Sequence, residues 1–143
     1  MLFAGLAVLS LLAFSTNGSR GPLEDRTQWP EPIQNLLAKA FREHIDVEPV
    51  AMYRTVDFTE KVYCWRMKSS PELIDLMTRE WKLKPGTPAE VENFWGEWPH
   101  GWENGAKQNG QRLLGNYAKP SDNFIVIASD SQPVVYGYYY FNF

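Results

Sequence analysis

The amino-acid sequence predicts an α+β domain: an antiparallel sheet of four to five strands with three helices, in the order α-β-β-α-α-β-β-β and ending in a β-meander. Two observations carry that expectation. Segments with the helical apolar period are grouped apart from segments with the two-residue period, whereas a doubly wound parallel sheet would alternate them. The last three strand-like runs are separated only by short polar turns, which suits antiparallel neighbours. The length agrees with a single core: 143 residues, of which 44% are hydrophobic and 22% charged.

The chain opens with "MLFAGLAVLSLLAFSTNGSRGP", apolar from Leu2 to Phe14. As a helix that run would rise about 20 Å, short of the roughly 30 Å hydrocarbon layer and suited to an export signal. Ala13 and Ser15 carry the small side chains of a cleavage site. Residues 1–15 are therefore expected to be a signal peptide, with a mature chain starting near Thr16, or an N-terminal anchor if they are not removed. No Lys or Arg precedes the run, a departure from the usual signal. Asn17-Gly18-Ser19 matches the N-glycosylation pattern. Residues 16–29 are polar with Gly and Pro and read as a flexible lead-in to a single globular domain over 30–143.

"PEPIQNLLAKAFREH" places Ile33, Leu36, Leu37, Ala40 and Phe41 on one helical stripe, with Pro32 in the first turn. "VAMYRTVDF" and "KVYCWRM" then shift to the two-residue period. In the second run Val62, Cys64 and Arg66 share one face, and Tyr63, Trp65 and Met67 the other. "SSPELIDLMTREWKLKPG" begins a helix with Ser70 as N-cap, Pro71 in the first turn and Glu72 at the positive end of the dipole. Leu73, Leu76, Met77 and Trp81 form its stripe, and Pro85-Gly86 is expected to end it. "TPAEVENFWGEW" repeats the device, with Thr87 and Glu90 as a capping box and Val91, Phe94 and Trp95 turned inward. A Gly- and Asn-rich loop follows, and then three strands near 112–118, 123–129 and 133–142.

The final strand is the most informative. In "VVYGYYYFNF", Val134, Tyr136, Tyr138 and Tyr140 share one face, and Val135, Tyr139, Phe141 and Phe143 the other. The run from Phe124 to Ala128 is also apolar on both sides. A sheet with one wet face alternates apolar and polar residues, and these strands do not. Both faces must therefore be covered, either by this chain's own helices and Trp-rich loop or by a partner.

Composition narrows the function. A formal charge of −3 without a basic cluster argues against nucleic acid, and a lone cysteine excludes an internal disulfide and a multi-cysteine metal site. Aromatics reach 15% with six tryptophans. In "NFWGEWPHGWENG", glycine and proline interrupt the helix, so Trp98 and Trp102 fall on a loop, where large rings either dock onto the sheet or form a stacking platform. The expected role is a small exported domain (periplasmic, extracellular or in the cell envelope), non-enzymatic, without cofactor or metal. It would bind a protein partner or small ligand through Trp98, His100, Trp102, Tyr136, Tyr138 and Tyr140. Membrane contact would come only through an uncleaved N-terminal segment. Two alternatives stand beside it: a small hydrolase or metal-assisted enzyme centred on Glu97, His100 and Glu103, and a structural homodimer formed through an aromatic sheet face. Cys64, mid-strand beside Val62, reads as an inert buried thiol. "GAKQNGQR" spaces its glycines like a phosphate loop, but Gln111 and Arg112 stand where Lys and Ser or Thr are needed.

Overall fold

The computed structural model describes residues 20–56, 60–87, 98–102, 110–116, 123–129 and 132–142. Its elements are β1 (Arg20–Pro22), a 3-10 turn (Arg26–Gln28), α1 (Glu31–Arg42), β2 (Ala51–Val56), β3 (Glu60–Lys68), α2 (Pro71–Trp81), β4 (Lys84–Pro85), β5 (Gly110–Asn116), β6 (Asn123–Ser129) and β7 (Val134–Asn142). The strands form one seven-stranded sheet in the order β1-β2-β3-β7-β6-β5-β4, antiparallel at every pairing. The α+β class and the C-terminal meander stand as the sequence predicts. Two antiparallel runs, β1–β3 and β4–β7, are joined edge to edge by the β3–β7 ladder, and α2 carries the chain from one run to the other.

Four expectations need correction or restriction. The sheet has seven strands where four to five were expected, because β1 and β4 are three and two residues long. Strands so short show no period, and each contains a proline that reads as a breaker but is tolerated at a sheet edge. The lead-in expected over 16–29 belongs to the fold from Arg20 onward: Arg20 pairs with Thr55. Asp25 caps the 3-10 turn by accepting from the Thr27 amide, and Trp29 is buried with its indole donating to the Leu23 carbonyl at 2.7 Å. The helix expected to end at Pro85-Gly86 stops earlier, where Lys82 takes a left-handed conformation (φ 52°). Of the three expected helices two are described; the third, with Trp95, lies outside the described residues.

α1 closes with a Schellman motif, the Ile45 amide donating to the Ala40 carbonyl at 2.9 Å and the His44 amide to Phe41 at 3.2 Å, around a left-handed His44. Its stripe buries Ile33, Leu36 and Ala40, with Leu37 packed beside them, but Phe41 is 83% exposed. At 100° per residue Phe41 lies about 80° round the helix from Ile33, on the outer margin of the stripe. α2 follows expectation: Ser70 Oγ accepts from the Leu73 amide at 3.1 Å, and Leu73, Leu76, Met77 and Trp81 are buried. Lys39–Glu80 and Arg79–Glu43 link the two helices; part-exposed pairs of this kind contribute at most about 1 kcal/mol each.

Both helices cover one face of the sheet. There Trp81 stacks on Phe124 (4.2 Å, 9°), Phe124 on Tyr139 (4.5 Å, 18°), and Tyr139 lies near-parallel to Tyr63 (6.2 Å, 23°). Phe124, Tyr139 and Tyr63 are cross-strand neighbours on β6, β7 and β3, so one row of rings spans three strands and ends against α2. In the adjacent row Trp65 pairs with Gly137. A Cβ on Gly137 would stand 1.8 Å from Trp65 Cζ2, so the indole occupies the space that any side chain there would need. Trp65 and Trp81 are fully buried and tilted together at 5.6 Å, and among the described residues neither indole N–H has an acceptor. Each unpaired donor costs about 1–3 kcal/mol, set against ring burial that is worth more.

Gly137→Ala should destabilise the fold by about 1–3 kcal/mol and Trp65→Ala by about 3–5 kcal/mol, both read by chemical denaturation. The double variant should lose less than the sum, because removing the indole frees the space the new methyl needs; strict additivity would refute the interlock.

Candidate functional site

The opposite face is built from Val62 and Cys64 on β3, Ile125 and Ile127 on β6, and Tyr136 and Tyr138 on β7, all buried. Tyr138 sits between Cys64 and Ile125, and Tyr136 between Arg66 and Ile127. No helix of the described residues lies on this side. Among the described residues its cover includes 98–102, a tight turn in which the Trp102 amide donates to the Pro99 carbonyl at 2.9 Å. Gly101 supplies the positive φ (86°) that this turn needs at its third position. Pro99 is buried while His100 projects at the exposed tip.

The turn delivers two indoles to the sheet. Trp98 meets Tyr136 and Tyr138 edge-on at 6.3 and 6.0 Å, and Trp102 meets Tyr136 at 6.4 Å, the edge-to-face arrangement that ring quadrupoles favour. Trp102 retains only 9% of its surface. The Arg66 guanidinium lies 4.7 Å over the Trp102 ring, clamping the turn to β3 through a cation–π contact.

Of the six residues proposed from sequence as a binding surface, the structure brings five together. Trp102, Tyr136 and Tyr138 are buried by their mutual packing; Trp98 and Tyr140 stay partly exposed. His100 stands apart from that layer. Glu97 and Glu103, its partners in the enzymatic alternative, lie outside the described residues. Among the described residues no three His, Cys, Asp or Glu side chains are grouped as a metal site would require. Cys64 is buried, and desolvation pushes its thiol from 9.0 up to about 12, only weakly opposed by Arg20. At neutral pH it is a protonated packing group, not a nucleophile.

Beside this aromatic layer lies a cleft of about 640 Å³, within the range of small-molecule sites. Its walls come from three segments distant in sequence: Glu48, Pro49 and Ala51; Arg66 and Lys68; and Gln132, Pro133, Val134 and Tyr136. Tyr136 thus contributes both to the packed layer and to the cleft. A second hollow, about 570 Å³ and more polar, opens near Ser69, Ser70, Asp75, Gln111 and Ser129. Sequence reasoning missed the cleft residues other than Tyr136. The one available signal was Arg66, a cation on the face that Val62 and Cys64 otherwise make apolar.

Protein-family models, characterised proteins and solved structures contain no match to this chain.

The raised Cys64 pKa has a defined sign. The unfolded thiol ionises from about pH 9 while the folded one stays protonated to about 12, so the stability it contributes is present below pH 9 and lost as pH rises towards 12. Denaturation midpoints should fall across that interval in the native protein and fall less in Cys64→Ala. Equal alkaline slopes would refute the assignment.

Proposed function

We propose that the chain is a small exported binding domain, not an enzyme, which holds a small ligand in the cleft between the β2–β3 segments and the start of β7. The cleft itself carries this reading: a concave space of ligand size, bounded by Tyr136 on one side and on another by Arg66, a cation that no carboxylate of the described residues pairs. Its floor belongs to the longest ladder of the sheet, where β3 and β7 pair over nine positions from Glu60↔Asn142 to Lys68↔Val134. A fixed floor lets binding energy go into contacts and not into ordering the site. The protonated state of Cys64 and the solvent-facing position of His100 support a binding role over acid–base or nucleophilic chemistry. Trp98 and Tyr140, the part-exposed rings, extend an apolar margin from the packed layer. The apolar run Leu2–Phe14 supports export.

A library of single-ring and double-ring fragments, titrated against isotopically labelled protein, should shift the backbone amides of Ala51, Arg66, Val134 and Tyr136 together and saturably. Ala51→Trp, which fills the cleft from β2, should abolish those shifts without unfolding the sheet. Shifts scattered over the surface, or unaffected by the plug, would remove the cleft from consideration.

Export has its own check. Residues 1–22 fused ahead of an alkaline phosphatase lacking its leader should deliver active reporter beyond the membrane, with mass spectrometry placing the cut before Thr16. Reporter that stays inactive in the cytoplasm would end that part of the proposal.

A further inference from the structure

We infer that the cleft takes a small amphipathic monoanion, a single carboxylate carried on an apolar, ring-bearing body. This rests on the binding reading above and deepens it to a ligand class. The charges around the cleft lead to it. Three charged side chains line the space, and two are already neutralised: Glu48 by Arg26 at 2.5 Å and Lys68 by Asp46 at 2.5 Å. Arg66 differs. Its guanidinium carbon lies 4.7 Å over the Trp102 ring, and no carboxylate of the described residues pairs with it.

Stacking occupies the face of a guanidinium and leaves its N–H donors in the plane of the fork. Arg66 is itself exposed, and its contact with the nearly buried Trp102 indole favours one position of the fork before any ligand arrives. Two parallel N–H donors match the two oxygens of a carboxylate, a charge-assisted pairing stronger than a neutral one. One net positive charge calls for one negative charge. A cationic ligand would meet Arg66, and a dianion would bring a second charge with only ion-paired groups to meet it.

The rest of the cleft sets the remainder of the molecule. Pro49, Ala51, Pro133, Val134 and the ring of Tyr136 offer mainly apolar surface. A space of about 640 Å³ is far larger than a carboxylate needs. The unfilled part is worth binding energy only to an apolar body, at roughly 25 cal/mol per Å² removed from water.

The test compares naphthalene-2-carboxylate with naphthalene-2-carboxamide, near-isosteres that differ in charge, by isothermal titration calorimetry on the native protein at low salt. The carboxylate should bind at least about tenfold more tightly, the size of one charge-assisted hydrogen bond. That preference should vanish in Arg66→Met, which keeps an unbranched apolar chain across Trp102 but lacks the fork, provided its melting temperature stays near that of the native protein. Ala51→Trp should abolish binding of both compounds. Equal, saturable binding of the two would overturn the anion assignment and leave the cleft standing as a site. A preference that survives in Arg66→Met would place the anion elsewhere and overturn it too. Absence of binding by either compound would overturn both the ligand class and the cleft. Phenyl phosphate binding more tightly than benzoate would refute the single-charge argument.

Discussion

The architecture depends on one indole filling the space above one glycine. β3 and β7 are far apart in sequence, yet theirs is the ladder that joins the two antiparallel runs into a single sheet. Trp65 crosses that ladder at Gly137, the one position on the helix-covered face of β7 where no side chain stands in its way. Because the ring reaches over its neighbour, it also touches Trp81 and so ties α2 to the sheet. Pairing, helix docking and the row of stacked rings beside them are three consequences of one steric fit. Two indole N–H groups in that region have no acceptor among the described residues, so ring packing outweighs hydrogen-bond satisfaction there.

The two faces solve the same burial problem by different means. On one, two capped helices supply Ile33, Leu36, Leu73, Leu76 and Trp81 as a preformed lid. On the other, a five-residue turn brings Trp98 and Trp102 to Tyr136 and Tyr138, with Arg66 holding the nearer indole. The cleft at Arg66 and Val134 lies beside this aromatic layer, with Tyr136 common to both.

Much of this was legible beforehand, and the reasons differ by element. Ser70-Pro71 marks a helix start through local hydrogen bonding, so α2 needed no tertiary information. The alternation of Val62, Cys64 and Arg66 against Tyr63, Trp65 and Met67, and the unbroken apolar character of β7, encode a sheet dry on both sides. What escaped has no local signal. β1 and β4 exist because a neighbour offers hydrogen-bonding groups, not because of their own composition. Phe41 sits on the apolar stripe by arithmetic but beyond the reach of the sheet. The cleft joins residues 48–51, 66–68 and 132–136, which only the fold brings together; the sequence pointed to Tyr136 as part of a Trp- and Tyr-rich surface, and not to its charged neighbour Arg66.

The borders of the sheet have a bearing on how the protein behaves when crowded. At either side the outermost strand is three or two residues long and includes a proline, Pro22 or Pro85. A chain so rich in rings would polymerise readily if it offered a long bare run of main-chain donors and acceptors for another copy to copy. Among the described residues, stubs that end in an imino acid lack one main-chain donor and give such templated growth little foothold.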